Sequence, residues 1–251
     1  MENARIVEEF TLPSHGRVYT DFEIETDVML SSMKAKHEML RLSSTEESHK
    51  IMAEIIDDCL ETDLGIKSYD LCIGDFQYLL FKLRVVTFGN EYELSGKCPF
   101  CGFEQRISVD LDDFPVKEYT EDYSDLMYLE LPITGSEIKL TYQTPRMLDR
   151  ISAKVKEYRR RHRDTDLNPV LLFNIMSVID EIDGEVPDAL DLEQWIMELP
   201  LADTNTIISR IDRMNNAIGI DLSMYENCNI CGTEYVVPFR VNDSFFRPRS
   251  E

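Results

Sequence analysis

Cys98-Pro99-Phe100-Cys101-Gly102 and Cys228-Asn229-Ile230-Cys231-Gly232 are two copies of one pattern, a pair of cysteines two residues apart followed by glycine. Such a turn sets two thiolates on one side of a tight loop, and the glycine tolerates the positive φ that wraps backbone around a metal. Two turns supply four sulfurs, the donor set of a tetrahedral structural zinc site with no coordination position left for water. Thiolates favour zinc or an iron–sulfur cluster among biological metals. Two separated turns fit a zinc ribbon better than the usual iron–sulfur spacings. Neither pair opens a helix after a strand, as a thioredoxin-type redox motif does. The reading is therefore one structural zinc on Cys98, Cys101, Cys228 and Cys231, with an iron–sulfur cluster or unmetallated thiols as alternatives.

Outward from the cysteines, the flanks read as strands. Tyr92-Glu93-Leu94 leads into the first pair, and Ile107-Ser108-Val109-Asp110-Leu111 leaves it with period-2 alternation. Met224-Tyr225 precedes the second pair and Tyr235 to Phe239 follows it. This predicts two related hairpin knuckles, at 92–111 and 224–241. Between the pairs lie 126 residues, 102 to 227. Closing a loop of that length costs about 4 kcal/mol beyond a constant, since the cost grows as (3/2)RT ln n. Metal-binding energies of about 10–16 kcal/mol in small zinc domains exceed it.

The rest of the chain divides by periodicity. Ile6 to Leu12 is strand-like and ends in the turn cluster Pro13-Ser14-His15-Gly16, where His15 is expected in solvent. Ser44 to Leu60 reads as a helix, with Ser44 and Glu47 at capping-box spacing and Ile51, Ile55, Ile56, Cys59 and Leu60 as its apolar stripe. Cys59 and Cys72 are read as core residues. Asp75 to Phe88 is apolar nearly all round, capped by Asp75 and Gly89, and predicted to run through the core. Its two cations, Lys82 and Arg84, are expected to snorkel outward. A β segment is predicted over Leu126 to Tyr142 with a turn at Thr134-Gly135-Ser136. From Thr144-Pro145 the period becomes 3.6, with helices predicted near 145–163, 169–182, 191–199 and 203–218. The fold class expected is α+β: a mixed body of 1–143 plus 220–251 with a split zinc-ribbon-like pair of knuckles, and a helical insertion over 144–219.

Composition limits function. The chain has 251 residues, 48 Asp plus Glu against 26 Lys plus Arg, and a net charge of −22. That field opposes nucleic acid and anionic membrane as main partners, because both bind through neutralisation by cations. No apolar run reaches the roughly 18–20 residues that span a bilayer. The polar, acidic opening Met1 to Glu9 does not resemble an export signal, so a reducing cytosol is expected. The sequence contains no GxGxxG, P-loop, HExxH or GxSxG motif. Its four histidines, His15, His37, His49 and His162, fall in polar surroundings, so no enzyme and no small-molecule substrate is expected.

One local reversal of charge stands out. Arg146, Arg150 and Lys154 recur every four residues, followed by Lys156 and Arg159-Arg160-Arg161-His162-Arg163. Three readings apply: a solvated helix end whose cations complement the dipole, a docking face for an acidic protein such as another copy of the chain, or a nucleic-acid contact. Trp195, in the apolar stretch with Ile196 and Leu199, is either an interface anchor or part of the core.

Phe10-Thr11-Leu12-Pro13-Ser14-His15-Gly16-Arg17-Val18-Tyr19 resembles an LPSxGxxY opening found in one phage family. Gly74-Asp75-Phe76-Gln77-Tyr78-Leu79-Leu80, Leu83-Arg84, Phe88 to Tyr92, the first cysteine turn and the closing Phe245-Phe246-Arg247-Pro248 resemble it too. The family is that of the T4-type bacteriophage baseplate proteins, of the baseplate hub subunit or hub assembly type. The likeness is clearest over 10–19 and 70–112, while 120–220 agrees only in general layout. The resemblance implies a structural or assembly component of a contractile tail, partnered by other tail and baseplate proteins. Such a component would be made in the host cytoplasm and placed in the virion baseplate. The alternative from the cysteines alone is a zinc-ribbon adaptor contacting transcription or nucleic-acid machinery.

Overall fold

A computed structural model describes residues 6–20, 23–43, 47–120, 125–162, 168–239 and 243–246. Among the described residues seven α-helices alternate with small, mainly two-stranded antiparallel sheets, so the chain is of mixed α and β architecture. The central element is α3 (Ile73–Phe88). Its apolar circumference is buried on nearly every side, with Phe76, Leu79, Phe81 and Leu83 all at 1% exposure or less. Around it gather β1 (Val7–Thr11), β2 (Asp27–Ser31), α1 (Ala35–Arg41) and α2 (Ser48–Cys59). The hairpins are β3–β4 (Glu91–Lys97, Glu104–Asp110) and β10–β11 (Ser223–Asn227, Glu234–Pro238). β5 (Val116–Lys117) pairs with β9 (Gly219–Ile220).

A second core lies beyond α3. β6 (Tyr128–Glu130), β7 (Glu137–Leu140) and β8 (Ile179–Ile182) form its sheet. α5 (Val170–Val178), α6 (Ala189–Glu198) and α7 (Leu201–Ala217) pack on it, and α4 (Pro145–Arg161) joins α5 to α2. Trp195 and Leu199 are half-buried against this core and Ile196 is inside it. The two cores meet where Gly74 touches Ile218 and Gly219. A Cβ on Gly74 would stand 2.5 Å from the Ile218 carbonyl oxygen, so the seam closes only on glycine. Among the described residues no helix is long and apolar enough to cross a membrane.

The polar residues at both ends of α3 depart from the sequence reading. Asp75 does not cap the helix; the chain enters through extended Cys72, and Asp75 sits in the first turn. It is fully buried and accepts hydrogen bonds from the Ser14 amide (3.0 Å), the Ser14 hydroxyl (2.5 Å) and the Tyr19 hydroxyl (2.8 Å). Tyr19 in turn accepts from the Cys72 amide at 2.9 Å. Burial pushes the Asp75 carboxyl above its ordinary range although these donors pull it down. Arg84, expected to snorkel, is 2% exposed. Its guanidinium donates to the carbonyls of Gly89 (2.6 Å), Phe245 (3.0 Å) and Glu91 (3.3 Å), and lies over the rings of Phe88 and Tyr92. Three carbonyls at a helix end and a chain turn need donors, and only a long, forked cation reaches all of them. Lys82 reaches Asp112 at 3.1 Å with its ammonium over the Phe10 ring.

Other expectations shift in register. α2 starts at Ser48 with Glu47 as its cap residue, and Ser44 lies outside the described residues. The helix expected over 169–182 ends at Val178, and Ile179–Ile182 becomes β8, paired with β7. β-branched Ile179 and Ile182 fit a pleated, half-buried edge as well as a helix face. His37 keeps polar partners but is buried, at 3% exposure, with Nε2 2.7 Å from Asp58 and Nδ1 accepting from the Lys34 amide at 3.0 Å. His49 bonds Asp149 at 2.7 Å, tying α2 to α4. His15 is exposed, as expected, and Cys59 and Cys72 are core residues.

Replacing Arg84 with Met keeps volume but strips three carbonyls of a buried donor, that of buried Phe245 among them. Loss of such a group costs about 3 kcal/mol, equivalent for a chain of this size to a fall in Tm of about 6–12 °C. Differential scanning calorimetry of R84M against wild type reads this; an unchanged Tm contradicts the role assigned to Arg84.

Candidate metal centre

The β3–β4 and β10–β11 hairpins are built alike. In the first, the Cys98 amide donates to the Phe103 carbonyl (2.8 Å) and the Gly102 amide to the Cys98 carbonyl (2.9 Å). In the second, the Cys228 amide donates to Thr233 (3.0 Å) and the Gly232 amide to Cys228 (2.8 Å). Gly102 and Gly232 have φ of 76° and 70°, the left-handed backbone that the repeated glycine predicts. Each turn thereby exposes its second cysteine and buries its first.

The two turns face each other head to head. Cys98 Sγ lies 3.8 Å from Cys231 Sγ, and Cys101 Sγ lies 3.5 Å from Cys228 Sγ. All four sulfurs fall within 4.8 Å of one another. Four sulfurs about 2.3 Å from a common centre in tetrahedral array stand about 3.8 Å apart, so the cluster has the dimensions of a four-thiolate metal site. A disulfide needs about 2.05 Å, and all four thiols are free. The arrangement can hold one metal ion.

Electrostatics agree with that capacity. The Thr233 hydroxyl and amide draw Cys231 down to about 6, and the amides of Cys231 and Ile230 lower Cys228. The Phe103 amide pulls Cys101 the same way, but the crowding thiols Cys228, Cys98 and Cys231 outweigh it and push Cys101 up to about 12. Without a cation, sulfurs this close cannot all ionise; a divalent ion removes the conflict.

A small core supports the cluster. Ile107, Met224, Tyr235 and Val237 pack beneath Cys98 and Cys228. Tyr235 lies over Gly96, where a Cβ would stand 2.9 Å from its hydroxyl oxygen. Gln105 bridges the hairpins with its side-chain amide, donating to the Asn227 carbonyl (3.0 Å) and accepting from the Asn229 amide (2.9 Å). Gln105 belongs to no motif; its place on the inward face of β4, in step with Ile107 and Val109, is the signal in the sequence that marks it.

A model of one protein family, described as T4 bacteriophage base plate protein, matches residues 6–247. The chain belongs to the T4 baseplate protein family. No curated protein and no solved structure matches it. The residues on which the family resemblance rests are structural fasteners in this baseplate protein. Ser14 and Tyr19 hold Asp75, Gly74 forms the seam between the cores, and Arg84 holds Gly89 and Phe245. Arg247 and Pro248 lie outside the described residues.

The basic run is not one continuous free face. Arg146 is half-buried, bonded to Asp70 through Nε (2.5 Å) and Nη2 (2.7 Å), and stacked on Tyr69. Lys154 lies over Phe173, Arg159 reaches Asn168 at 3.5 Å and Arg161 pairs with Glu157. Arg150 and Arg160 are exposed without a partner among the described residues. Arg163 lies outside them. A cysteine–histidine–carboxylate series also exists, with Cys59 Sγ 3.4 Å from His37 Nδ1 and Asp58 beyond. Cys59 is fully buried. Nδ1 already takes the Lys34 amide, so the group fastens α1 to α2.

Removing the second cysteine of each turn, in C101S/C231S, should cost about 4 kcal/mol, the closure term of the long loop. A strong chelator should lower the wild-type Tm to that of the variant and leave the variant unchanged. A wild-type melt insensitive to the chelator, at the variant's Tm, contradicts the metal cross-link.

Proposed function

We propose that this protein is a non-enzymatic structural or assembly component of the hub or inner baseplate of a contractile-tailed bacteriophage, stabilised by one structural zinc on Cys98, Cys101, Cys228 and Cys231. The observation that carries the baseplate reading is the family match across residues 6–247. For zinc, the support is the donor chemistry: four thiols at the spacing of a tetrahedral site, with no fifth His, Cys, Asp or Glu in the cluster among the described residues. In this reading the body of 1–143 plus 220–251 carries the zinc-ribbon-like knuckles. The insertion of 144–219 completes its core against β6 and β7.

The partners are other tail and baseplate proteins, met in the host cytoplasm during assembly and retained in the virion. The exposed part of α4 steers them. Single exposed ion pairs contribute only about 0–1 kcal/mol each, so charge sets approach and orientation while apolar contact supplies most affinity. Exposed Leu190, Met197 and Leu201 on α6 and α7 offer such area, since Trp195 and Ile196 are spent on the core.

The test uses purified chain with co-expressed tail proteins. A stable complex with at least one of them, and none with duplex DNA at about 0.1 M salt, is the expected result. R159E/R160E/R161E should slow complex formation and flatten its salt dependence while leaving the chain folded. Salt-sensitive DNA or RNA binding, with no tail-protein complex, overturns this reading in favour of the zinc-ribbon adaptor.

A further inference from the structure

The start of α4 borders a cleft of about 530 Å³, within the size range of ligand sites. It opens where the segment after Ser14, the end of β7 and the residues before α3 converge. Three cations line it, Lys67, Arg146 and Arg150, against one described carboxylate, Asp70. In a chain of net charge −22 this is a concentrated reversal of sign.

The three cations are unequally engaged. Arg146 gives Nε and Nη2 to Asp70 and has no described partner for Nη1. Lys67 makes one long pair with Asp57, at 3.5 Å, and its side chain is 74% exposed. Arg150 has no partner among the described residues. Val18 and Met147 line the cleft beside the cations. The wall that fixes Arg146 is rigid: Tyr69 lies beneath its guanidinium at 4.4 Å and donates to buried Asp149, which also takes His49.

We propose that this cleft binds an acidic peptide segment of a neighbouring protein, its carboxylates taken by Lys67, Arg150 and the free edge of Arg146. The Asp70–Arg146 pair is an internal example of the carboxylate recognition the cleft performs. A segment with a few spaced carboxylates fits better than nucleic acid. A duplex carries a charge every 1.7 Å or so and cannot engage the cleft without meeting the surrounding acidic surface. At about 0.1 M salt the screening length is about 10 Å, so a peptide in the cleft feels the local cations more than distant carboxylates. The inference rests on the baseplate reading only for the neighbour's identity; the cleft's preference is measured without it.

The probe is a fluorescein-labelled peptide of about ten residues with a few glutamates spaced by glycine and serine, titrated by anisotropy into the full chain at about 0.1 M salt. A ten-nucleotide single strand with the same label serves for comparison. K67Q/R150Q should weaken peptide binding about ten-fold without changing the Tm, because neither side chain is buried. R159Q/R160Q/R161Q should change it less than about two-fold, since Arg160 lies about 15 Å along the helix from Arg150, beyond the screening length. Equal losses in the two variants, no loss in K67Q/R150Q, or equal affinity for the oligonucleotide each overturns the proposal. Failure of the tail-protein complex with the peptide result intact removes the baseplate reading and leaves the cleft.

Discussion

Four thiol sulfurs within 4.8 Å of one another form the constraint on which the two ends of the fold depend. As thiols they give weak contacts; as thiolates they repel, and only a cation at their centre turns repulsion into a bond. A metal held there would close a loop of 126 residues and fix Cys98 and Cys228 across a separation that local structure cannot span. The hairpins are held at their other end as well. Arg84 takes the carbonyl of Glu91, where β3 begins, and that of Phe245, shortly after β11 ends. Phe81, Tyr92, Phe114, Phe239 and Phe245 pack edge to face around that base. With a metal on the sulfurs at the tips and the guanidinium at the base, two marginal hairpins would become one stiff unit.

Helix α3 carries that stiffness to the rest of the chain. Its last turns hold the hairpins, and its first turn holds the opening segment through Asp75 and the second core through Gly74. Each fastener is a buried polar group with its partners satisfied, or a backbone contact too close for a side chain. Such groups cost more to lose than they contribute when kept, which suits a protein whose purpose is to present fixed surfaces to neighbours. Membership of the baseplate family fits that purpose.

The parts of this design that were legible in the sequence are those encoded locally. The repeated Cys-x-x-Cys-Gly gave both turns and their glycine conformation. Period-2 flanks gave the hairpins, and Thr144-Pro145 gave the start of α4, where the Thr144 hydroxyl caps the Met147 amide at 3.3 Å. What was not legible depends on distant partners. Arg84 and Asp75 read as a surface cation and a helix cap because Phe245, which covers the one, and Ser14, which donates to the other, lie 161 and 61 residues away. β8 reads as helix because its partner β7 lies some 40 residues upstream. Gln105 and His37 become structural only when the second hairpin and α2 are placed beside them. α1, seven residues long, is too short for a periodic signal to register.

The most direct measurement is of the metal itself: native mass spectrometry of the purified chain for stoichiometry, with X-ray absorption at the zinc edge for the ligands. About one zinc per chain, bound by four sulfurs at about 2.3 Å, is the predicted result. A folded, metal-free chain whose Cys98, Cys101, Cys228 and Cys231 thiols all react freely would contradict the account.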